Sequence, residues 1–247
     1  MEEKETTQEM VYGIRPLMEA LTSDKEIEKV FLQKGMGGKT FHELLPMLRE
    51  REIPFQLVPI EKLNRITRKN HQGVIAYISP VTFYMIEQLL PGIYEAGRSP
   101  FILILDKVTD VRNFGAILRT AESAGVDAVL IPSKGAAQLN SGTIKSSAGA
   151  IYKIPICREH NLKEAINFLR NSGLRIAAVS DKAGKVHFAE DLTGPLALIM
   201  GSEGEGISGE YLKLADVKVR IPMLGTIASL NVSVATAVLL YEVVRQR

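Results

Sequence analysis

After Pro100 the chain alternates short, almost wholly apolar runs with segments whose apolar residues recur at helical spacing. The runs are FILILD, DAVLIP, IYKIPIC, RIAAVS, PLALIMG and VKVRIPM. Strands that are apolar on both faces and alternate with helices are typical of a parallel sheet covered on both sides. The pattern therefore predicts an α/β domain over residues 100–247. Such sheets bind ligands beyond the carboxyl ends of their strands, so candidate site residues should directly follow strands.

The front of the chain has a different pattern, which predicts a smaller α/β domain over residues 11–79. Two segments with helical spacing, YGIRPLMEAL and TFHELLPMLRERE, alternate with the strand-like segments EKVFLQKG, PFQLVPI and GVIAYIS. Residues 80–99 contain two prolines and two glycines around a short amphipathic piece. They predict an interdomain linker with room for a short helix. Residues 1–10 are mostly charged or polar and predict a disordered tail.

Composition narrows the function classes. Cys157 is the only cysteine, so neither an intrachain disulfide nor a thiolate metal cluster is expected. The four histidines are scattered without metal-ligand spacing, and no apolar run approaches the ~20 residues that a membrane helix needs. We therefore expect a cytoplasmic protein with no metal and no membrane segment. The net charge of +2 does not identify a nucleic-acid-binding protein, although it permits a local basic patch.

The first segment that follows a strand is DKVTDVRNFGAILRTAESAG. Phe114, Ile117 and Leu118 have the spacing of a buried helical stripe. Asn113 precedes the stripe, where a helix cap belongs. Arg119 lies off the apolar face, so the pattern leaves open whether it is a solvated surface arginine or a functional one.

The second segment, IMGSEGEGIS, places Gly201, Gly204 and Gly206 between a strand and a helical pattern. It matches neither the dinucleotide-binding glycine motif nor a P-loop. Glu203 and Glu205 would repel a phosphate held against the loop backbone. The loop therefore favours a nucleoside that lacks a pyrophosphate and carries positive charge. The alternative is a glycine-rich turn with solvated carboxylates.

The third segment is GTIASLNVSVATAVLLYE. Ser229 could cap the helix that follows, and by pattern alone Ser229 and Asn231 are capping residues rather than catalytic ones. The helix itself is apolar on nearly all sides, so it should be buried on most of them. That burial indicates a subunit interface.

Together, and in this order, the three segments resemble the SpoU (TrmH) family of RNA ribose 2′-O-methyltransferases. The resemblance covers about residues 100–247. The front segments VYGIRPLMEAL and NHQGVIA are similar to the substrate-binding domain of the branch that methylates a guanosine in large-subunit ribosomal RNA. The family implies S-adenosylmethionine as cofactor, a homodimer, and a deep trefoil knot in the C-terminal parallel-sheet domain (the SPOUT type).

The resemblance also implies roles for individual residues. It assigns catalytic roles to Asn113, Arg119, Glu203, Ser229 and Asn231. The cofactor-binding positions that it implies are Ser180, Gly201, Ile221, Met223, Gly225 and Leu230.

A basic stretch in the front domain, KLNRITRKNHQG, is the candidate RNA-binding segment. If it is helical, Arg65, Arg68 and Lys69 share one face. The functional interpretation is a patch that contacts phosphates, joined by Arg15; the alternative is an ordinary solvated face. The family resemblance implies that His71 also belongs to the RNA-binding domain.

The sequence thus predicts an enzyme that methylates the ribose 2′-hydroxyl of a guanosine in large-subunit ribosomal RNA. A transfer RNA methyltransferase of the same family is the nearest alternative. A catalytically silent RNA-binding or ribosome-assembly protein is a more remote one.

Overall fold

The computed structural model describes residues 9–23 and 25–247, which form two compact units. The smaller unit contains the described residues up to 82 together with 139–141, and the larger contains 83–138 and 142–247. Residues 1–8 of the expected tail lie outside the described residues. Met10, the last residue of that expected tail, is instead the first residue of a strand.

The smaller unit is built on a four-stranded sheet of order β1-β4-β2-β3. Strands β2 and β3 run parallel, and β4 runs antiparallel to both β1 and β2. Its elements are β1 (Met10–Tyr12), α1 (Ile14–Thr22), β2 (Ile27–Gln33), α2 (Lys39–Glu50), β3 (Phe55–Val58), α3 (Ile60–Ile66) and β4 (Val74–Ile78).

Strand alternation divides the side chains of this sheet between two cores. Helices α1 and α2 cover one face, where Leu17, Leu44 and Val74 are fully buried. On the other face Phe31 and Ile75 pack beside Leu63 of α3. Because α3 has only two turns, it covers this second face incompletely.

The larger unit contains an eight-stranded sheet of order β10-β12-β9-β11-β6-β7-β8-β5, in which every described pairing is parallel. The strands are β5 (Phe83–Tyr84), β6 (Phe101–Leu105), β7 (Ala128–Pro132), β8 (Ile156–Glu159), β9 (Arg175–Val179), β10 (Lys185–Val186), β11 (Leu196–Met200) and β12 (Val217–Arg220). The helices are α4 (Ile86–Glu95), α5 (Val111–Ser123), α6 (Ser141–Ser146), α7 (Leu162–Asn171), α8 (Gly209–Leu214) and α9 (Val232–Gln246), with short 3-10 helices at Ala150–Tyr152 and His187–Ala189.

Helices cover both faces of the central strands, as the unbroken apolar runs predict. One face packs against α4, α7 and α8. Side chains that point to the opposite face, such as Leu103 and Leu198, are also fully buried. Helices α5 and α9 lie against each other and bury Phe114, Ile117 and Leu239. The α/β prediction with a parallel sheet is therefore confirmed.

The segment interpreted as a linker, residues 80–99, is largely part of the larger unit. Strand β5 pairs with β8, and α4 buries Ile86, Leu90 and Ile93 in the core. The residues that suggested a linker do not prevent this order, since Pro91 lies inside α4 and Gly97 follows the end of α4 with a positive φ of 68°. The run IYKIPIC also differs from its prediction, since residues 150–152 form a 3-10 helix and the strand begins only at Ile156.

The order of the central strands explains why distant segments meet. Strands β12, β9, β11 and β6 are consecutive neighbours and all run in the same direction. Their carboxyl ends therefore bring Ile221, Ser180, Gly201 and Asp106 to one edge of the sheet.

Candidate active site

A cavity of about 450 Å³ lies at this edge of the sheet. Residues of the glycine-rich segment and of the start of α9 form much of its wall. Its lining residues are 179–182, 200–207, Leu212, Ile221, Met223, 228–230, Val232 and Ala235. Of the residues implied to bind a cofactor, five line this cavity (Ser180, Gly201, Ile221, Met223 and Leu230), whereas Gly225 does not.

The glycine-rich segment folds back on itself beyond β11. The amide of Gly206 donates to the carbonyl of Ser202 at 3.0 Å, and Gly206 has a positive φ of 67°. A β-carbon on Gly201 would overlap the carbonyl group of Gly206, whereas one on Gly204 would meet open space. The turn is therefore closed by backbone contact at Gly201, and a side chain at that position would force it open.

Two residues directly after β6 hold this turn from outside. The buried carboxylate of Asp106 accepts a hydrogen bond from the amide of Ser208 at 2.6 Å. Lys107 Nζ lies 2.7 Å from Glu205 Oε2, and its hydrogen bond to that carboxylate lowers the pKa of Glu205. Sequence reasoning missed both residues, although an aspartate immediately after a buried strand was a usable signal.

Glu203 joins the first and third segments of the sequence. Its Oε1 atom accepts hydrogen bonds from Asn231 Nδ2 at 2.5 Å, from the amide of Val232 at 3.1 Å and from Asn113 Nδ2 at 3.3 Å. Asn231 Nδ2 also donates to Asn113 Oδ1 at 3.0 Å. Three of the implied catalytic residues therefore form one hydrogen-bonded cluster at the rim of the cavity.

The helix caps agree only in part with those expected. Asp110 caps α5, since its side chain accepts from the amides of Arg112 at 2.9 Å and Asn113 at 2.8 Å. Asn113 therefore lies in the first turn of α5, and its side-chain amide faces Glu203. Asn231, rather than Ser229, caps α9 by accepting from the amide of Ser233 at 2.9 Å. Ser229 is an exposed residue in the cavity wall.

Arg119, like Ser229, is an implied catalytic residue outside this hydrogen-bonded cluster. It is exposed on α5, and its guanidinium has no hydrogen-bond or ion-pair partner among residues 9–23 and 25–247. Buried residues on either side of it, Leu118 and Ala121, anchor the helix. The structure thus presents Arg119 as an unneutralised cation on a rigid support.

Models of known families match both parts of the chain. Residues 100–241 match the SpoU rRNA methylase family, and residues 10–84 match a domain described as RNA 2′-O ribose methyltransferase substrate binding. The first match alone covers more than half of the chain. The chain belongs to the SpoU rRNA methylase family. The resemblance noted in the sequence is therefore confirmed, and the cavity lies in the methylase domain.

Two of the similar proteins match nearly the whole chain, and a third matches about two thirds of it. The 23S rRNA (guanosine-2′-O-)-methyltransferase RlmB of Escherichia coli (strain K12) is 38% identical over 241 residues, which are 97% of this chain and 99% of that protein. The solved SpoU methyltransferase AviRb of Streptomyces viridochromogenes, in complex with AdoMet, has the same fold, with a TM-score of 0.61 and 24% identity over 97% of this chain and 90% of that one. The TrmH/SpoU tRNA modifying enzyme of A. aeolicus covers 66% of this chain and 84% of its own, with a TM-score of 0.54 and 31% identity.

The smaller unit carries the candidate RNA-binding residues. Arg15, Arg65, Arg68 and Lys69 are all exposed. Helix α3 ends at Ile66 and Thr67 is extended, so the expected single helical face of Arg65, Arg68 and Lys69 is wrong.

His71 is buried, contrary to the expectation of an RNA contact. Its Nε2 atom lies 2.9 Å from Asn64 Oδ1, and its Nδ1 atom accepts from the amide of Gly73 at 3.1 Å. Both ring nitrogens therefore hold the turn before β4 in place. The RNA-binding role of His71 was implied by the family resemblance, which does not reveal whether a side chain is buried.

The part of the chain that the structure describes shows neither a metal-binding cluster nor a membrane-spanning helix. Residues 9–23 and 25–247 contain no group of three or more histidine, cysteine, aspartate or glutamate residues placed to hold a metal ion. No helix over the same residues is long and apolar enough to cross a membrane.

Proposed function

We propose that this protein transfers a methyl group from S-adenosylmethionine to the ribose 2′-hydroxyl of a guanosine in 23S ribosomal RNA. The observation that carries the proposal is the cluster of Asn113, Glu203 and Asn231 at the rim of a cavity in the methylase domain. The 38% identity to RlmB of E. coli over nearly the full length of both chains supports guanosine in 23S rRNA as the target.

The residues around the cavity suit S-adenosylmethionine. The volume of about 450 Å³ is in the range of small-molecule pockets. Ile221, Met223 and Leu230 offer apolar surface, and the closed turn at Gly201 offers backbone groups to an adenosine. The wall contains three carboxylates, of Asp181, Glu203 and Glu205, and one lysine, Lys182. Although Lys107 pairs with Glu205, the excess of carboxylates favours a cationic ligand over a phosphate. When bound, S-adenosylmethionine supplies an electrophilic methyl group.

The hydrogen-bonded cluster would position the ribose. Glu203 fixes the amides of Asn113 and Asn231 from two different helices, so both side chains have little freedom to rotate. Two oriented amides can accept from one ribose hydroxyl and donate to another. Ser229, in the cavity wall, adds a hydroxyl between this cluster and the cofactor positions.

Arg119 would bind an RNA phosphate and stabilise negative charge on the 2′-oxygen as its proton leaves. A guanidinium with a pKa above ~12 is a poor base, but its planar fork binds phosphate oxygens in pairs. An exposed arginine without a partner among the described residues is available for that contact. Arg15, Arg65, Arg68 and Lys69 in the smaller unit would add phosphate contacts that position the RNA without reading its bases.

We also propose a homodimer formed through the outer face of α9. Val234, Val238, Tyr241 and Val244 follow helical spacing along this face, and Val234 and Tyr241 are 49% and 51% exposed. The preceding loop exposes Leu224 and Ile227 in addition. An exposed apolar stripe of this length is typical of a protein–protein interface. We also propose that the larger unit contains the trefoil knot that the family implies.

Incubation with labelled S-adenosylmethionine and separate pools of unmodified ribosomal and transfer RNA tests the function. We expect label in 23S rRNA and, after mapping, a single 2′-O-methylguanosine. Label confined to transfer RNA would replace the proposed substrate by the nearest alternative, which the A. aeolicus enzyme represents. Absence of label from both pools, and from ribosomal particles lacking the modification, would support a non-catalytic protein and overturn the proposal.

A further inference from the structure

One face of the four-stranded sheet carries aromatic and lysine side chains that α1 and α2 do not cover. Across the strands Lys29 of β2 lies opposite Tyr77 of β4. In the adjacent row Ile75 of β4 lies between Phe31 of β2 and Tyr12 of β1. The rings of Phe31 and Tyr77 meet edge to face with centroids 6.0 Å apart. Phe31 is buried and forms the floor, whereas Tyr12 and Tyr77 are half-buried.

Lysine ammonium groups converge on these rings. The Nζ atoms of Lys29 and Lys62 lie 4.8 and 4.9 Å from the centroid of the same ring, that of Phe31. Lys69 Nζ lies 5.2 Å from the centroid of the Tyr12 ring. None of the three forms an ion pair with a carboxylate among residues 9–23 and 25–247. Two cations therefore share one aromatic floor without a counter-ion from the described chain.

This arrangement has an electrostatic cost in the free protein. Burial lowers the pKa of Lys29, and repulsion from Lys62 lowers it further, against a smaller opposing effect of Glu28. Burial chiefly, with the nearby Tyr12 and Glu28, raises the pKa of Tyr77, so the hydroxyl of Tyr77 stays neutral. An anion placed between the two ammonium groups would remove the repulsion.

We propose that this lysine–aromatic face, formed by Tyr12, Lys29, Phe31, Lys62, Lys69 and Tyr77, binds an unpaired strand of the substrate RNA. A backbone phosphate lies between Lys29 and Lys62, and bases stack against Tyr12 and Tyr77. Single-stranded RNA provides an anion and a flat ring at every nucleotide, which matches both halves of the face. An acidic peptide matches only the charges. The inference rests on the proposed function, because it names the part of the smaller unit that holds the RNA.

The lysines are tested by charge-matched pairs in the full-length chain. Lys29→Gln with Lys62→Gln removes two charges from the face, and Lys34→Gln with Lys39→Gln removes two from exposed positions of the same unit. Binding of labelled 23S rRNA fragments is measured over a range of salt concentrations. We expect the first pair to weaken binding by about tenfold and to reduce the salt slope by about 0.7, the value for one phosphate contact on a single strand. The second pair should change affinity by less than about twofold. Equal effects of both pairs would overturn the proposal.

The tyrosines are tested by removing or keeping the rings. Tyr12→Leu with Tyr77→Leu should weaken binding by about tenfold or more without changing the salt slope, because stacking carries no charge. Tyr12→Phe with Tyr77→Phe keeps both rings and should bind within about twofold of the unaltered protein. If the phenylalanine pair binds as poorly as the leucine pair, stacking is excluded. Thermal melting checks that the leucine pair is folded.

Two further readouts separate this proposal from its alternatives. Lys29→Met removes the repulsion between Lys29 and Lys62, so it should raise Tm by about 1 to 3 °C while it weakens RNA binding. A lower Tm would mean that Lys29 stabilises the folded protein, and would count against its role as an RNA contact. Normal binding of naked RNA by all variants, with loss of binding only to ribosomal particles, would assign the face to a protein partner. Failure of the unaltered protein to methylate any RNA concerns the proposed function alone.

Discussion

At the scale of single residues, the candidate active site contains a carboxylate that accepts several hydrogen bonds and a cation that has no partner among the described residues. Glu203 Oε1 receives three hydrogen bonds, from Asn231, Val232 and Asn113. Arg119 has no such partner among the described residues. A group that already holds its neighbours is suited to positioning, whereas a free guanidinium is suited to capturing substrate. The two residues should therefore fail in different ways when they are replaced.

Arg119→Ala should lower methylation by about 10² to 10³, the usual effect of losing one donor that stabilises charge in the transition state. S-adenosylmethionine binding should persist, since Arg119 does not line the cavity. Turnover with 23S rRNA and cofactor binding by calorimetry provide the two measurements. Arg119→Lys keeps the charge without the planar fork and should remain impaired. Lys163→Ala, an exposed charge on α7, is the control. Near-normal turnover of Arg119→Ala would remove this residue from the mechanism.

Residue identities were predictable from the sequence to a greater extent than residue contacts. Five of the six cofactor positions that the family resemblance implies line the cavity. Three of them, Ser180, Gly201 and Ile221, directly follow strands, whose ends are visible in the apolar pattern. The cap of α5 and the burial of His71 were not predictable. Asp110 and Asn113 are both good capping residues, and only the backbone geometry decides between them. His71 is buried because Asn64 and Gly73 satisfy its ring, which composition cannot reveal.

At the scale of elements, the turn after β11 is held closed by contact between its two ends. Gly201 and Gly206 let its two ends touch, and Asp106 holds its far end through the amide of Ser208. The sequence showed three glycines without distinguishing their roles. The structure makes Gly201 and Gly204 a matched pair, because one faces backbone and the other faces open space.

Gly201→Ala should open the turn and weaken S-adenosylmethionine binding by about tenfold or more, because the new β-carbon would overlap the Gly206 carbonyl. Gly204→Ala adds the same methyl group where there is room and should bind the cofactor within about twofold. Calorimetric titration of each variant with S-adenosylmethionine measures the difference. Equal affinities would mean that the turn is not part of the cofactor site.

The end of α9 is fastened by a buried carboxylate. Glu242 accepts hydrogen bonds from Arg245 at 2.6 and 2.9 Å and from Gln246 at 2.7 Å. Gln246 Oε1 in turn accepts from the amide of Leu192 at 2.7 Å. Hydrogen bonds from Arg245 chiefly lower the pKa of Glu242 to about 2, with further lowering by Gln246 and His187 and opposition from burial.

The lowered pKa of Glu242 predicts an acid-sensitive helix end. Its ordinary value is 4.5, so the ionised form stabilises the fold fully above that pH, and the stabilisation is lost as pH falls towards about 2. Between about pH 5 and 2.5 the free energy of unfolding should fall by roughly 1 to 2 kcal/mol more in the unaltered protein than in Glu242→Gln. Urea unfolding over this range measures it. Parallel pH curves for the two proteins would contradict the assignment.

At the scale of the whole molecule, the sequence predicted two α/β parts but misplaced the boundary between them. Pro80, Pro91 and two glycines suggested a linker, yet β5 pairs with β8 and α4 supplies Leu90 to the core of the larger unit. Local composition could not reveal this, because the partner strand lies more than 70 residues further along the chain. The same limit applies to the order of the central strands, which brings the ends of β6 and β12 to one edge.

The proposed dimer predicts the effect of charge on the outer face of α9. Val234→Glu with Tyr241→Glu should convert the protein from two chains to one in sedimentation experiments, since two buried like charges per subunit would oppose association. Lys213→Glu, an exposed position on α8, should leave the mass unchanged. A protein that sediments as one chain before any substitution would contradict the proposed dimer.

Helix α9 carries three of the features described above on one rod of 15 residues, about 22 Å long. Asn231 caps its start, the apolar stripe lies along its outer side, and Glu242 holds its last turn in place. Because the helix is rigid, a shift of its outer face would also move Asn231 at its start. Dilution that separates the proposed subunits should therefore reduce turnover per chain, and specific activity should rise with protein concentration until association is complete.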